Sequence, residues 1–250
     1  MTMMMNPQNH SDFDRSQLEW ADRFLEKEQL SNIERVEAFP KYATRRSLGR
    51  FLARYELFKK ILPVNGSIIE CGVFSGVGLL TWAKLSSMME PYNHTRRVVG
   101  FDTFEGFPNV SEADVRTGEA HSLNVGGMAG SSIENVEEAV RIFDVNRPLS
   151  HIPKVELIKG DLMKTAVDYL NKNQHLVVSL LYLDVDIYEP TKKALEVFLP
   201  RIPKGGYICF DELNTKMFPG ETIAASEVLG INKLRLERTN LDPNISFACM

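Results

Sequence analysis

Apolar positions along the chain switch repeatedly between two rhythms. In SLGRFLARYELFKKIL, Leu48, Phe51, Leu52, Tyr55, Phe58 and Leu62 recur at helical spacing, which predicts a helix with one covered face. Pro63 and Gly66 end it, and the short apolar run beyond them predicts a first strand. A glycine-bearing turn leads into a helix over 79–89, closed by Pro91. RRVVGFDTF predicts a second strand ending in Asp102, VELIKGD a third, HLVVSLLYLDVD a fourth and GYICFDE a fifth, with LMKTAVDYLNKN and TKKALEVFLPRI as helices between them. The fourth run is almost wholly apolar and ends in acids, as expected of a parallel strand buried on both faces. A helix over 221–229 leads to NKLRLERT, LDPN and ISFACM, two alternating runs about a tight turn that predict an antiparallel hairpin.

Two stretches stand outside this rhythm. Residues 1–15 are polar and without a repeat, an expected irregular and mobile end. From Phe104 to Gly130 no periodicity emerges, and so long a loop inside a compact domain predicts a lid, placed at 109–130. Ser131-Ser132-Ile133-Glu134 carries a capping-box pattern, and Ile133, Val136, Val140 and Phe143 supply the buried stripe of the helix it opens. Five βα units plus a hairpin predict an α/β doubly wound, Rossmann-like sheet of seven strands with one reversed near its edge. The whole chain, 1–250, is expected to be one domain with a helical extension over 1–62.

The turn after the first strand reads GSIIECGVFSGVG, with glycines at 72, 76 and 78. A dinucleotide fingerprint places its close glycine pair first, so that backbone can approach a pyrophosphate. Here the close pair comes last, and Glu70 stands two residues before Gly72. That order suits S-adenosylmethionine, a sulfonium nucleoside without phosphate, with Glu70, Gly72 and Gly76 around it. The terminal hairpin, which reverses one strand near the edge of the sheet, fits the methyltransferase version of the doubly wound fold.

Ligands of open α/β sheets bind beyond the carboxyl ends of the strands. Nearly every strand here ends in an acid: Glu70, Asp102, Asp161, Asp184 with Asp186, and Asp211 with Glu212. Asp102 lies 30 residues beyond Gly72, placed for both hydroxyls of a ribose, with Thr103 beside it. Asp161 is placed either for the adenine amino group or as an N-cap. Asp184, Asp211 and Glu212 offer three oxygen donors from adjacent strand ends, which suits Mg²⁺. Asp184, or Asp186 as the alternative, is also the candidate base. In the long loop, His121 and Arg116 are candidate acceptor contacts.

Bulk properties narrow the partners. A net charge of −4 leaves no electrostatic footprint for nucleic acid. The opening MTMMMNPQNHSDFDR has no basic region followed by a long apolar stretch, and no run approaches the roughly 20 residues of a membrane span. Cys71, Cys209 and Cys249 sit in apolar strand-like runs without CxxC spacing, and are expected to be buried thiols in a reducing cytoplasm. The helices before residue 62 can pack on a second copy as readily as on their own sheet, which leaves a homo-oligomer open.

IIECGVFSGVG, GFDTFEGFP, LLYLDVDIYEPT and GGYICFDEL, in that order, resemble the macrocin O-methyltransferase family over roughly residues 45–215. The resemblance implies S-adenosylmethionine as donor, Mg²⁺ dependence, and a sugar hydroxyl on a nucleotide sugar or glycoside as acceptor. It places Asp184 and the pair Asp211-Glu212 at the metal, Asp102 at the cofactor ribose, and a mobile lid after the second strand. The chain departs from the family pattern at Val185 (usually Gly), at Pro190 in place of the usual Ser, and at Glu212 (usually Asp). Competing readings are a catechol-type phenol methyltransferase, which needs less activation of its acceptor, and a non-catalytic S-adenosylmethionine-binding protein.

Overall fold

A computed structural model of the chain describes residues 12–119 and 121–250, with the backbone alone at 12–15, 17 and 18. It divides into two compact units, Met1–Arg50 and Phe51–Met250. Of the polar stretch expected to be irregular, residues 1–11 lie outside the described residues. The helix that follows already begins at Asp12, earlier than the sequence pattern suggests.

The first unit holds α1 (Asp12–Lys27), α2 (Asn32–Glu37) and α3 (Phe39–Tyr42). Ser31 caps α2 with Glu34 in a reciprocal capping box, satisfying amides that the helix itself leaves open. The Glu28 carboxylate accepts from Lys41 Nζ at 2.6 Å and Tyr42 Oη at 3.2 Å, tying the end of α1 to α3. Helix α4 (Arg45–Ile61) carries the chain from this unit into the next.

In the second unit the elements follow as β1 (Ser67–Cys71), α5 (Val77–Met89), β2 (Val98–Asp102), α6 (Glu112–Val115), α7 (Ile133–Val145), β3 (Val155–Lys159) and α8 (Leu162–Lys172). Then come β4 (Val178–Leu183), α9 (Tyr188–Phe198), β5 (Tyr207–Phe210), α10 (Pro219–Val228), β6 (Glu237–Arg238) and β7 (Ser246–Cys249). The seven strands lie in the order β3-β2-β1-β4-β5-β7-β6. β7 alone runs against its neighbours β5 and β6, which is the reversed strand near the edge that the terminal hairpin predicts. Strand order reverses direction between β1 and β4, and this switch point is where open α/β sheets place a ligand crevice beyond their strand ends.

Alternation along β1 and β4 sorts the core into two layers. Ile68, Leu180 and Tyr182 join Phe58, Leu79 and Trp82 on one face, while Ile69, Leu181 and Leu183 join Phe101, Phe198 and Phe210 on the other. The edge opposite the crevice is closed by Arg96, a buried guanidinium bonded to Glu90, Ser179 and the carbonyls of Gly66, Ile61 and Val64. Such a fully partnered charge suits structure rather than ligand exchange.

Three local expectations need correction. The cap of α7 is Ser132, which accepts from Asn135, so the Ser131–Glu134 pattern is off by one residue. The long loop contains a helical turn, α6, which is too short to leave a periodic signal. Cys71 and Cys209 are buried but Cys249 is exposed. β6 pairs only with Ser246 and Phe247, so Cys249 runs past its neighbour. No helix among the described residues is long and apolar enough to cross a membrane.

Candidate active site

Two turns meet at the crevice. The amide of Gly72 donates to Phe101 O and the amide of Asp184 donates to Cys71 O, each at 2.8 Å, so the chain after β1 is pressed against the chain after β4. Gly72 holds φ at 91°, and a Cβ there would overlap the Asp184 carbonyl oxygen and lie 2.6 Å from its carbon. Only glycine satisfies both demands. Gly76 (φ 77°) sits at the N-cap of α5 against Val136, and a Cβ on Gly78 would lie 2.7 Å from the Glu70 carboxylate. The three glycines therefore answer to three different neighbours.

Asp102 joins this turn to the one after β2. Its Oδ2 accepts from the amides of Val73 (2.7 Å) and Phe74 (2.8 Å), and its Oδ1 from the amide of Phe104 (2.6 Å). Phe74 and Phe104 both take left-handed backbone, φ 52° and 57°, which a non-glycine adopts only when its surroundings impose it. A carboxylate has about four acceptor positions, so one stays open for a further donor. Thr103 donates to Gly106 O at 2.6 Å and serves its own turn. Asp161 caps α8, accepting from Met163 N at 2.9 Å, which is the N-cap alternative weighed from the sequence.

Glu70 lies beneath the turn, 2% exposed, accepting from Trp82 Nε1 at 2.5 Å. Burial lifts its carboxyl from 4.5 to about 7, against the opposing pull of Arg54 and the Trp82 bond. A folded-state value above the unfolded one means the folded protein holds the proton longer. Its contribution to stability is complete below about pH 4.5 and is lost as pH rises through about 7. Glu70→Gln keeps the acceptor for Trp82 and removes the titration. The variant should therefore lose less stability than the parent between those values, by on the order of 3 kcal/mol. Urea titrations at several pH values read this directly, and parallel stability-against-pH curves would contradict it.

Acids and the Arg54 guanidinium gather beyond the ends of β4 and β5. The Asp184 side chain is 30% exposed, with Arg54 Nη2 at 3.9 Å from its Oδ2. The Arg54 guanidinium also stacks over Tyr182, 5.0 Å from the ring centre. Asp211 is buried and accepts from Tyr182 Oη at 2.5 Å. Asp186 is buried at φ 63°, and Glu212 is half-buried. Glu221, at the start of α10 and fully buried, accepts from the Glu212 amide at 3.0 Å through Oε1, while its Oε2 has no hydrogen-bond partner. Burial holds the Glu221 carboxyl well above the usual range, the Glu212 amide opposes this, and the charges of Asp211, Asp186 and Glu212 add to it.

Sequence reasoning missed Arg54 and Glu221. Arg54 hides in an amphipathic helix, and Glu221 reads as an ordinary first-turn acid of α10. Among the described residues no group of three or more His, Cys, Asp and Glu side chains is drawn together as for a metal ion. The donor chemistry nevertheless fits a hard cation. Asp184, Asp211 and Glu212 offer only oxygen, and Glu221 leaves a buried oxygen unsatisfied beside them.

The macrocin-O-methyltransferase (TylF) family pattern matches residues 56–231. The crystal structure of CalS11, a calicheamicin methyltransferase, is 32% identical with a TM-score of 0.91, over 96% of this chain and 94% of that one. The apo structure of CalS11, described as a TDP-rhamnose 3'-O-methyltransferase of calicheamicin biosynthesis, is 30% identical with a TM-score of 0.83, over 96% of each chain. The O-methyltransferase NovP, 21% identical with a TM-score of 0.62 over 81% of this chain and 80% of that one, shares the fold. No curated protein sequence matches.

Proposed function

The chain belongs to the macrocin-O-methyltransferase (TylF) family of O-methyltransferases, and on that premise we propose that it methylates a hydroxyl of a nucleotide sugar, using S-adenosylmethionine as donor and Mg²⁺ as cofactor. The observation that carries the reading is the contact of the Gly72 turn with the Asp184 turn at the sheet's switch point. It sets the glycine turn after β1 beside acids able to take a proton. The identity with CalS11 over nearly the whole chain supports a nucleotide sugar over a phenol as acceptor.

In this reading the donor lies along residues 72–76, and Asp102 fixes the amides of Val73 and Phe74 before the donor arrives. That ordering in advance lowers the entropic cost of aligning oxygen, methyl and sulfur. The acceptor O–H gives its proton to Asp184, the more exposed acid of the β4 turn, while the oxygen takes the methyl and the sulfonium leaves as a neutral thioether. Asp186 is the alternative acceptor of that proton. Asp184, Asp211 and Glu212 would hold Mg²⁺, which when bound lowers the pKa of the acceptor hydroxyl and fixes its direction. Arg54 keeps part of the acid cluster neutralised from the protein side.

Incubation with isotopically labelled donor and a panel of TDP-rhamnose, other nucleotide sugars and catechols, read by mass spectrometry, tests the proposal. Methyl gain on a nucleotide sugar is expected, with turnover falling about 10²-fold or more in excess chelator. Transfer to catechols alone, or chelator-insensitive transfer, would contradict it.

A further inference from the structure

The segment between β2 and α7, which lacks any sequence rhythm, is fastened at several points. Phe107 is bonded by its backbone to Gly126 and Gly127 within it: the Phe107 amide donates to Gly127 O and the Gly126 amide to Phe107 O, each at 2.9 Å. The Glu119 amide donates to Lys216 O at 3.0 Å, and the Ser131 amide to Phe74 O at 3.2 Å. Phe107 packs with Ile187 and Phe218 in a small apolar cluster of its own.

The polar centre of these attachments is Asp114 on α6, which is 1% exposed. Its Oδ2 accepts from the amide (2.9 Å) and hydroxyl (2.5 Å) of Ser111. Its Oδ1 crosses to the amide of Tyr188 at 2.7 Å, the first residue of α9. That amide is one of the helix's unpaired first-turn donors, and a carboxylate is well suited to it. α10 lies flush against the junction, since a Cβ on Gly220 would overlap both Asp114 Oδ1 and Tyr188 N.

We infer that Asp114 is a positioning residue that fixes the Asp184–Asp186 turn and, with it, the wall of the acceptor side. The turn is clamped at both ends: Cys71 O holds the amide of Asp184, and Asp114 holds the amide of Tyr188. Between the clamps Asp186 keeps a left-handed φ of 63°, a conformation that persists only where its flanks are held. Releasing the Tyr188 end lets the turn relax and carries the acids away from the acceptor hydroxyl. This inference rests on the reading of Asp184 and Asp186 as the groups facing the acceptor.

The test uses the full chain with Asp114→Ala, Asp114→Asn and, as a control, Ser111→Ala. Asparagine retains an oxygen for the Tyr188 amide. Hydrogen–deuterium exchange is expected to rise about tenfold or more over residues 184–188 in Asp114→Ala, less in Asp114→Asn, and not in Ser111→Ala. Turnover per S-adenosylhomocysteine-binding site should fall on the order of 10²-fold in Asp114→Ala and be partly rescued by asparagine, with product affinity unchanged. Unchanged exchange at 184–188 in Asp114→Ala, or loss of turnover only in proportion to lost binding sites, would overturn the inference. If the alanine variant fails to fold, Asp114→Asn against Ser111→Ala decides by the same readings. Exchange reports on the clamp whether or not any acceptor is methylated, so failure of the functional reading stays distinguishable.

Discussion

Asp184→Asn is expected to lower kcat by about 10²- to 10⁴-fold while leaving the affinity for S-adenosylhomocysteine within about twofold. The change is nearly isosteric and leaves the Asp184 amide bonded to Cys71 O, so the meeting of the two turns survives. What disappears is a charged oxygen on the exposed side of the crevice, able to take a proton and to face a cation. Arg54, at 3.9 Å, loses one anionic neighbour, but the acids nearby lose a like charge, so folding stability should shift little. Steady-state kinetics at saturating Mg²⁺, with calorimetry for product binding, separates these effects. Turnover within a few-fold of the parent would remove Asp184 from the chemistry.

Gly72→Ala should be among the most damaging single-methyl additions to the described residues. At φ 91° an alanine is strained whatever the space around it, and here the space is filled by the Asp184 carbonyl group, with no flexible side chain to yield. One of the two turns must move. The expected loss is about 3 kcal/mol of stability or more, together with loss of product binding. Gly205→Ala is the matched control: its φ is 88°, yet nothing lies within 4 Å of the added carbon. It should cost only the conformational part, about 1–2 kcal/mol. Denaturant titration of both proteins checks the difference, and equal losses would mean that the close approach of the turns carries no weight.

The sequence was most readable where a residue type answers to the backbone. Gly72 follows from its place after an apolar run, and the structure supplies a reason the pattern alone lacked: contact with a strand end more than a hundred residues away. The succession of strands along the chain and the reversed strand near the edge were legible because buried parallel runs and an alternating hairpin have different periods, whereas the order of strands across the sheet came only from the structure. Asp102 was found by its place at a strand end, but its three backbone amides were not foreseeable, since they depend on how two turns fold toward each other.

Arg54 and Glu221 left no local signal, and the Ser111-x-x-Asp114 cap pattern does not disclose the bond Asp114 makes to α9. Arg54 sits within a helix otherwise defined by its apolar stripe, Asp114 within a loop without rhythm, and Glu221 just after a helix-starting Pro-Gly. Each is buried and takes its meaning from elements distant in the chain. A one-dimensional pattern reports what a residue does to its own segment. Arg54 reaches across to β4, and Asp114 serves α9 as well as its own turn.

Calorimetry of S-adenosylhomocysteine with the parent and Asp102→Ala tests most directly that a donor nucleoside occupies the turns that Asp102 joins. One-to-one binding by the parent is predicted, weakened about 10²-fold or more when the three amides lose their acceptor. Failure of the parent to bind, alongside tight uptake of a nicotinamide dinucleotide, would contradict it.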